Sequence, residues 1–359
     1  MYSESDIEAA VAAGAISGDQ AARLRSFVAA SRSAPVVDEE HFRLLTGFND
    51  IFVSIAAVIL LVAVGWIGQS MPLGIKDGPS PLAGAFVAAT AWMLAEFFTR
   101  KRRMALPSII LLLAFVGGVF GAAIGAAAAV LPQDMANDNE QLVALIVAAC
   151  AAAAAVGAYF HWRRFRVPIT IAAGTAAVAG LVMALVISVI GETPRAELLL
   201  LPVMLVLGLL VFLLAMRWDA SDPVRQTRRS DVAFWLHLLA APMIVHPIFA
   251  LLGLTDGTAS APEALLVVLL YVMLGLTALA IDRRALLVSA LAYVLYALNS
   301  LFQQYGAVEL SFALTALLIG SALLLLSAFW SQARRAVVQP LPAGLKARLP
   351  VLDRTFVTA

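Results

Sequence analysis

Two histidines and two prolines stand inside one apolar run, WLHLLAAPMIVHP at 235–247. An imidazole titrates near neutral pH, so within a membrane it can carry a proton. A proline leaves the carbonyl four residues before it without its helical donor. Pro242 does this to Leu238, and Pro247 does it to Met243. Pro247 also pushes His246 away from helical dihedrals. These residues predict a kinked or broken helix presenting free carbonyls and an imidazole near mid-membrane. Backbone of that kind is tolerated only where protein or a wet cavity surrounds it, and transporter sites are often built so. His237 and His246 are nine residues apart, about 180° around an ideal helix, so they are not expected to share a metal. The plainer accounts are an interfacial or core histidine at 237, and at 246 a ring bonded to a freed carbonyl.

A second polar pattern falls at 289–303. Ser289, Tyr293, Tyr296, Ser300 and Gln303 are spaced 4, 3, 4 and 3, one face of a single helix, with Asn299 and Gln304 flanking it. Such a stripe is costly against lipid and must face protein or water. Either it packs by hydrogen bonds between helices, or it lines a solute or proton path opposite His246. Together His237, Pro242, His246, Pro247, Tyr293, Tyr296, Asn299, Ser300 and Gln303 form the candidate polar cavity.

Other chemistry is sparse. No P-loop, GxGxxG, GxSxG or HExxH pattern occurs, so no catalytic, cofactor-binding or metal residue is assigned. The lone Cys150 has no partner in the chain for a disulfide. Glu96 precedes Arg100 by four residues and reads as an interfacial pair. Asn49 and Asp50, and likewise Asp231, open helices, where a carboxylate meets exposed N–H groups. Arg225, Arg228 and Arg229 read as contacts to lipid phosphates. Gly117, Gly121 and Gly125 form a small-residue seam for close helix packing. Its expected partner is the alanine-rich fourth span or a second copy.

The elements that hold these residues follow from composition. The 359-residue chain is 62% hydrophobic and 13% charged, where a soluble domain carries about 25% charge. The bilayer must therefore be its solvent. A spanning helix needs about 20 mainly apolar residues. Ten segments qualify, near 51–68, 81–98, 106–130, 142–160, 167–190, 198–216, 232–254, 264–281, 285–302 and 310–330. Of the 24 Lys and Arg residues, 22 lie on alternate segments between these spans. That asymmetry predicts both termini on the cytoplasmic side. Trp162, Trp218, Trp235 and Trp330 fall at the same interface. The expectation is an all-α, polytopic helix bundle of about ten spans in a bacterial inner membrane. Basic pairs recur as RRMALP, RRFRVP, RRSDV and RRALLV, the rhythm of a repeated two-helix hairpin, although positive-inside selection alone also produces it.

Residues 1–33 read as a cytoplasmic helical hairpin with Gly14 ending its first helix. So short a segment needs a surface to fold against: the membrane domain, a second copy or a cytoplasmic partner. Residues 34–50 read as a linker and an interfacial helix, 51–330 as the membrane domain, and 331–359 as a cytoplasmic tail, extended or disordered from 339 on. The bilayer is the one obligate partner, and no nucleic-acid partner is expected at a net charge of +1.

The stretches AAGAISGDQAARLRSF and RRSDVAFWLHLLAAPMIVHP resemble uncharacterised multi-pass membrane proteins of bacteria, grouped under a domain of unknown function with a leading cytoplasmic hairpin. The resemblance implies the architecture and no activity. The functional expectation is secondary transport or permeation of a small solute between spans seven and nine. A non-catalytic scaffold or sensor acting through the hairpin stands second, and a lipid-handling enzyme third.

Overall fold

The protein is described from a computed structural model, covering residues 4–31, 48–71, 78–131, 139–191, 196–223, 225, 227–253, 261–304, 311–347 and 349–352. All regular structure among these residues is helical. The chain divides into two compact units, 1–42 and 43–359.

In the first unit, α1 (Glu4–Ala12) and α2 (Gly18–Ser31) are joined by a tight turn at 13–17. Gly14 sits at φ +70°, a left-handed conformation that glycine adopts without strain. Ser17 and Gln20 then start α2 reciprocally. The Ser17 N–H donates to Gln20 Oε1 (2.8 Å) and the Gln20 N–H to Ser17 Oγ (3.2 Å), a capping box that satisfies two orphan donors. The interfacial helix expected before residue 48 lies outside the described residues.

In the second unit all ten apolar segments are helices. They are α3 (Phe48–Ser70), α4 (Pro81–Ala95, prolonged by a π-helical turn Glu96–Lys101), α5 (Ala105–Val130), α6 (Glu140–Phe165), α7 (Ile169–Ile190), α8 (Ala196–Ala220), α9 (Arg228–Leu251), α10 (Ala261–Ile281), α11 (Ala285–Gln304) and α12 (Ser311–Ala328). Side-chain caps fix several starts: Ser80 accepts from Leu82 N, Asn139 from Leu142 N and Thr227 from Arg229 N. Among the described residues seven helices, α3 to α9, are long and apolar enough to cross a membrane. An eighth is added if α12 and α13 (Trp330–Val338), bent by 76°, count as one span. This is an all-helical, multi-pass architecture.

The repeated hairpin has a backbone signature. Among the described residues, the non-glycine positions with positive φ are Arg103, Arg166, Arg225 and Asp282. One falls in each of the four basic loops after α4, α6, α8 and α10. Each loop joins two helices packed closely along their length: α4 on α5, α6 on α7, α8 on α9 and α10 on α11. The pattern extends further, since α3 packs on α4 and α5 as α7 packs on α8 and α9. The likeness stops there: α5 packs on α6, whereas its counterpart α9 packs on α11.

Three expectations are corrected. First, α9 is a single unbroken helix with Pro242 and Pro247 inside it. Membrane helices tolerate proline when neighbours restore what the freed carbonyl loses. Here the backbone of α8 comes close at Gly208, where an added Cβ would lie 2.8 Å from both the carbonyl carbon and oxygen of Met243. Met243 is the residue that Pro247 deprives of its donor, and only a glycine lets the backbone of α8 reach it.

Second, the glycine seam of α5 runs through Gly118, Gly121 and Gly125, against α4. A Cβ at Gly118 would stand 2.7 Å from Ala88 N, one at Gly125 2.5 Å from Pro81 N, and one at Gly121 3.8 Å from Gly84 Cα. Gly117 faces open space. The partner is the second span, because α4 supplies its own small residues, Gly84 and Ala88, at the crossing.

Third, the tail is structured through 352. After α13 comes the short helix α14 (Ala343–Lys346). Arg334 then donates to the carbonyls of Pro350 (2.6 Å) and Val351 (3.1 Å), and Val351 N reaches Pro223 O (3.4 Å). Backbone carbonyls, invisible to side-chain periodicity, hold this segment.

Candidate functional site

Helix α9 is the most enclosed of the spans. Of its most apolar window 61% is buried, against 11–33% in the other six. It packs on α7, α8 and α11, so what it carries meets protein on several sides.

His237 is fully buried. Its Nε2 donates to Asp219 Oδ2 at 2.9 Å. Asp219 lies in the last turn of α8 and is itself 2% exposed. Arg283, from the loop between α10 and α11, closes the group: Nη2 donates to Asp219 Oδ1 (2.5 Å), Nε to Oδ2 (3.3 Å), and Nη2 to the carbonyl of Ser230 (3.1 Å). One carboxylate therefore binds an arginine through both its oxygens and an imidazole as well. A charge removed from water in this way is stable only if paired and bonded. Asp219 and Arg283 balance each other, and His237 adds a second donor to the carboxylate. The Phe212 ring stands edge-on to the imidazole at 5.3 Å. His237 Nδ1 is buried with no partner among the described residues.

A second group lies alongside. Arg225 Nη1 donates to Asp282 Oδ2 (2.8 Å), and its Nη2 to the carbonyls of Ile281 (3.2 Å) and Asp282 (3.1 Å). Trp330 Nε1 donates to Asp282 Oδ1 (2.8 Å), with Arg334 Nε 3.7 Å from the same oxygen. Arg225 is thus not the lipid-phosphate contact it was expected to be; its guanidinium is buried on a carboxylate. Asp222 prepares the entry to α9 by accepting from Thr227 N (2.8 Å) and Thr227 Oγ1 (2.7 Å). The two carboxylates tie α8, α9, α13 and the α10–α11 loop together at one end of the bundle.

Farther along α9, His246 Nδ1 lies 2.7 Å from the hydroxyl of Tyr293 on α11. Tyr293 stacks on Phe249, with ring centroids 4.4 Å apart. His246 and Pro242 are exposed, while Pro247 is buried. The seventh and ninth spans are therefore adjacent at His246, and one residue of the polar stripe meets it. Asn299 is half-buried. The side chains of Ser289, Tyr296, Ser300 and Gln303 lie outside the described ones. His237 faces α8 and His246 faces α11, so the two rings look to different helices. Among the described residues no three metal-ligating side chains converge.

Sequence reasoning missed Asp219, Asp282 and Arg283. The signal was present: an acid closes each of two apolar runs, at WD and at ID, on the side where arginines accumulate. It also missed His161, fully buried between the rings of Trp92, Phe115 and Phe165, with Thr170 Oγ1 3.3 Å from Nδ1. Glu96 pairs with Arg100 (3.2 Å) as expected, and in addition accepts from Arg164 Nε (2.6 Å) and Nη2 (2.9 Å) on α6. Glu96–Arg164 and Asp219–Arg283 occupy corresponding places between successive hairpins. In each, an arginine at the turn of one hairpin grips the acid of the hairpin before it.

The fold and site define a class: a multi-pass, all-helical membrane protein with an ion-paired core at one end. No protein-family model, curated protein or solved structure matches the chain.

Proposed function

We propose that the protein is a secondary transporter or permeation protein for a small solute, with α9 as its central helix and the solute path running between α9 and α11. The observation that carries this reading is the placement of His237, bonded to Asp219 and Arg283, and His246, bonded to Tyr293, on the most enclosed span. Polar and ionisable groups are costly in a membrane and mark ion or substrate paths by default. The hairpin-to-hairpin links Glu96–Arg164 and Asp219–Arg283 agree with it, since internal repeats are a common transporter plan. In this reading α10, α11 and α12 also cross, giving ten spans in a bacterial inner membrane with both termini cytoplasmic. The Asp219–Arg283 pair then lies at the cytoplasmic end, where it closes the path.

A scaffold is the second reading. It is favoured by the bonding of Asp219 and Asp282, which would clamp helices as well as gate them. Single cysteines at His246, Tyr296 and Ser300, in a Cys150→Ala background, separate the two. Transport predicts labelling by a membrane-impermeant thiol reagent at these mid-span positions, from intact cells and from inverted vesicles. A folded protein unlabelled from either side would sink transport and leave the scaffold.

A further inference from the structure

The paired arginines of the α10–α11 loop point in opposite chemical directions. Arg283 is buried on Asp219. Arg284 is not: its guanidinium lies over the Trp330 ring, 4.8 Å from the centroid, and it makes no ion pair with a carboxylate among the described residues. Directly beside it a slot of about 150 Å³ opens between α10, α11 and α12. Its walls are Leu287, Leu291, Leu323 and Leu326, with Trp330 at the head and Tyr271 on α10. Tyr271 stands ten residues before the end of α10, which is about 15 Å along the helix. Its hydroxyl is buried with no hydrogen-bond partner among the described residues.

Three features coincide here: a cation with no carboxylate partner among the described residues, an indole of the kind that anchors at membrane interfaces, and an apolar slot leading away from both. An apolar cavity of this size takes a hydrocarbon guest rather than water. We propose that this slot binds an anionic phospholipid of the surrounding bilayer, with one acyl chain between α11 and α12 and the headgroup phosphate on Arg284. Arginine suits the phosphate because its planar fork presents several donors to the oxygens. The charge on Arg284 sets the lipid preference, while the leucine walls set the requirement for a chain. The site is independent of the transport reading, and a scaffold would carry it equally well.

Photo-crosslinking tests it on the full-length protein in nanodiscs. The probe is phosphatidylglycerol with a diazirine on one acyl chain, and cross-links are mapped to peptides of α11 and α12. Unlabelled phosphatidylglycerol should compete about fivefold better than phosphatidylcholine with the same chains, the size expected for one arginine near the surface. Arg284→Gln should abolish that preference and Arg284→Lys should retain part of it. Leu291→Trp should lower cross-linking by filling the slot, and Leu323→Phe does the same from the opposite wall if the first variant folds poorly. Inorganic phosphate at millimolar concentration should not compete. Equal competition by the two lipids, an unchanged preference in Arg284→Gln, or displacement by free phosphate alone would each overturn the assignment.

Discussion

Asp219 holds the highest stakes of any single residue. Both its oxygens are taken by Arg283 and one also by His237, all within the protein interior. Removing one member of such a group leaves the others charged and unpaired, which costs about 3–5 kcal/mol. Asp219→Ala should lower the unfolding midpoint in detergent by a corresponding amount. The double variant Asp219→Asn/Arg283→Gln should recover part of the loss, since removing both charges leaves no buried ion. A double-mutant cycle measures this, and simple additivity would contradict the pairing. Asp282 acts on the tail instead. It receives Trp330 and Arg225, with Arg334 near, and Arg334 in turn holds Pro350 and Val351. Asp282→Ala should loosen residues 339–352 and expose them to limited proteolysis while the helices stay intact. Cleavage at the wild-type rate would show that the tail is held some other way.

Among the elements, two helix crossings depend on the absence of a side chain. Gly118 abuts the backbone of α4, and Gly208 abuts the Met243 carbonyl that Pro247 has freed. Alanine is favoured over glycine within a helix by about 1 kcal/mol. Gly117→Ala meets nothing and should stabilise or leave stability unchanged, whereas Gly118→Ala and Gly208→Ala should destabilise despite the same gain in propensity. Thermal unfolding of the three variants side by side decides it, and a common sign would refute the assigned faces. These crossings also mark the limit of what could be read from the sequence. All ten apolar segments were legible, because twenty apolar residues leave little alternative to a helix. The i,i+4 spacing of Gly117, Gly121 and Gly125 pointed to a seam but not to its partner. That partner depends on Gly84 and Ala88, small residues hidden in an alanine-rich span. The prolines of α9 suggested a break, since nothing in the sequence near 242–247 announces that Gly208, some forty residues earlier, will cover the freed carbonyl. The polar spacing at 289–303 marked Tyr293 as facing protein or water, but that it meets His246 was only one of two readings. The Asp219 cluster was not, because charges at the ends of spans read as solvated loop residues until the helices are packed.

For the whole molecule, two links between successive hairpins stand in contrast. Glu96–Arg164 is solvent-accessible and Asp219–Arg283 is buried. Exposed pairs contribute little to stability, so Glu96→Gln should change the unfolding midpoint far less than Asp219→Asn, although each cuts the equivalent connection. Reporter fusions placed after α4, α6, α8 and α10 should all report one side of the membrane, and a split among them would break the hairpin pattern. The central claim is that the Asp219–His237–Arg283 group closes a path along α9. The most direct measurement is the rate at which a cysteine at His246, in the Cys150→Ala background, reacts with an impermeant thiol reagent added to inverted vesicles. Slow but complete labelling with Arg283 intact and a rise of about tenfold or more in its rate in Arg283→Gln, with the protein still folded, is the outcome expected if about 1.4 kcal/mol or more of closure rests on that arginine. An unchanged rate in a folded Arg283→Gln protein would mean that the group clamps helices and gates nothing.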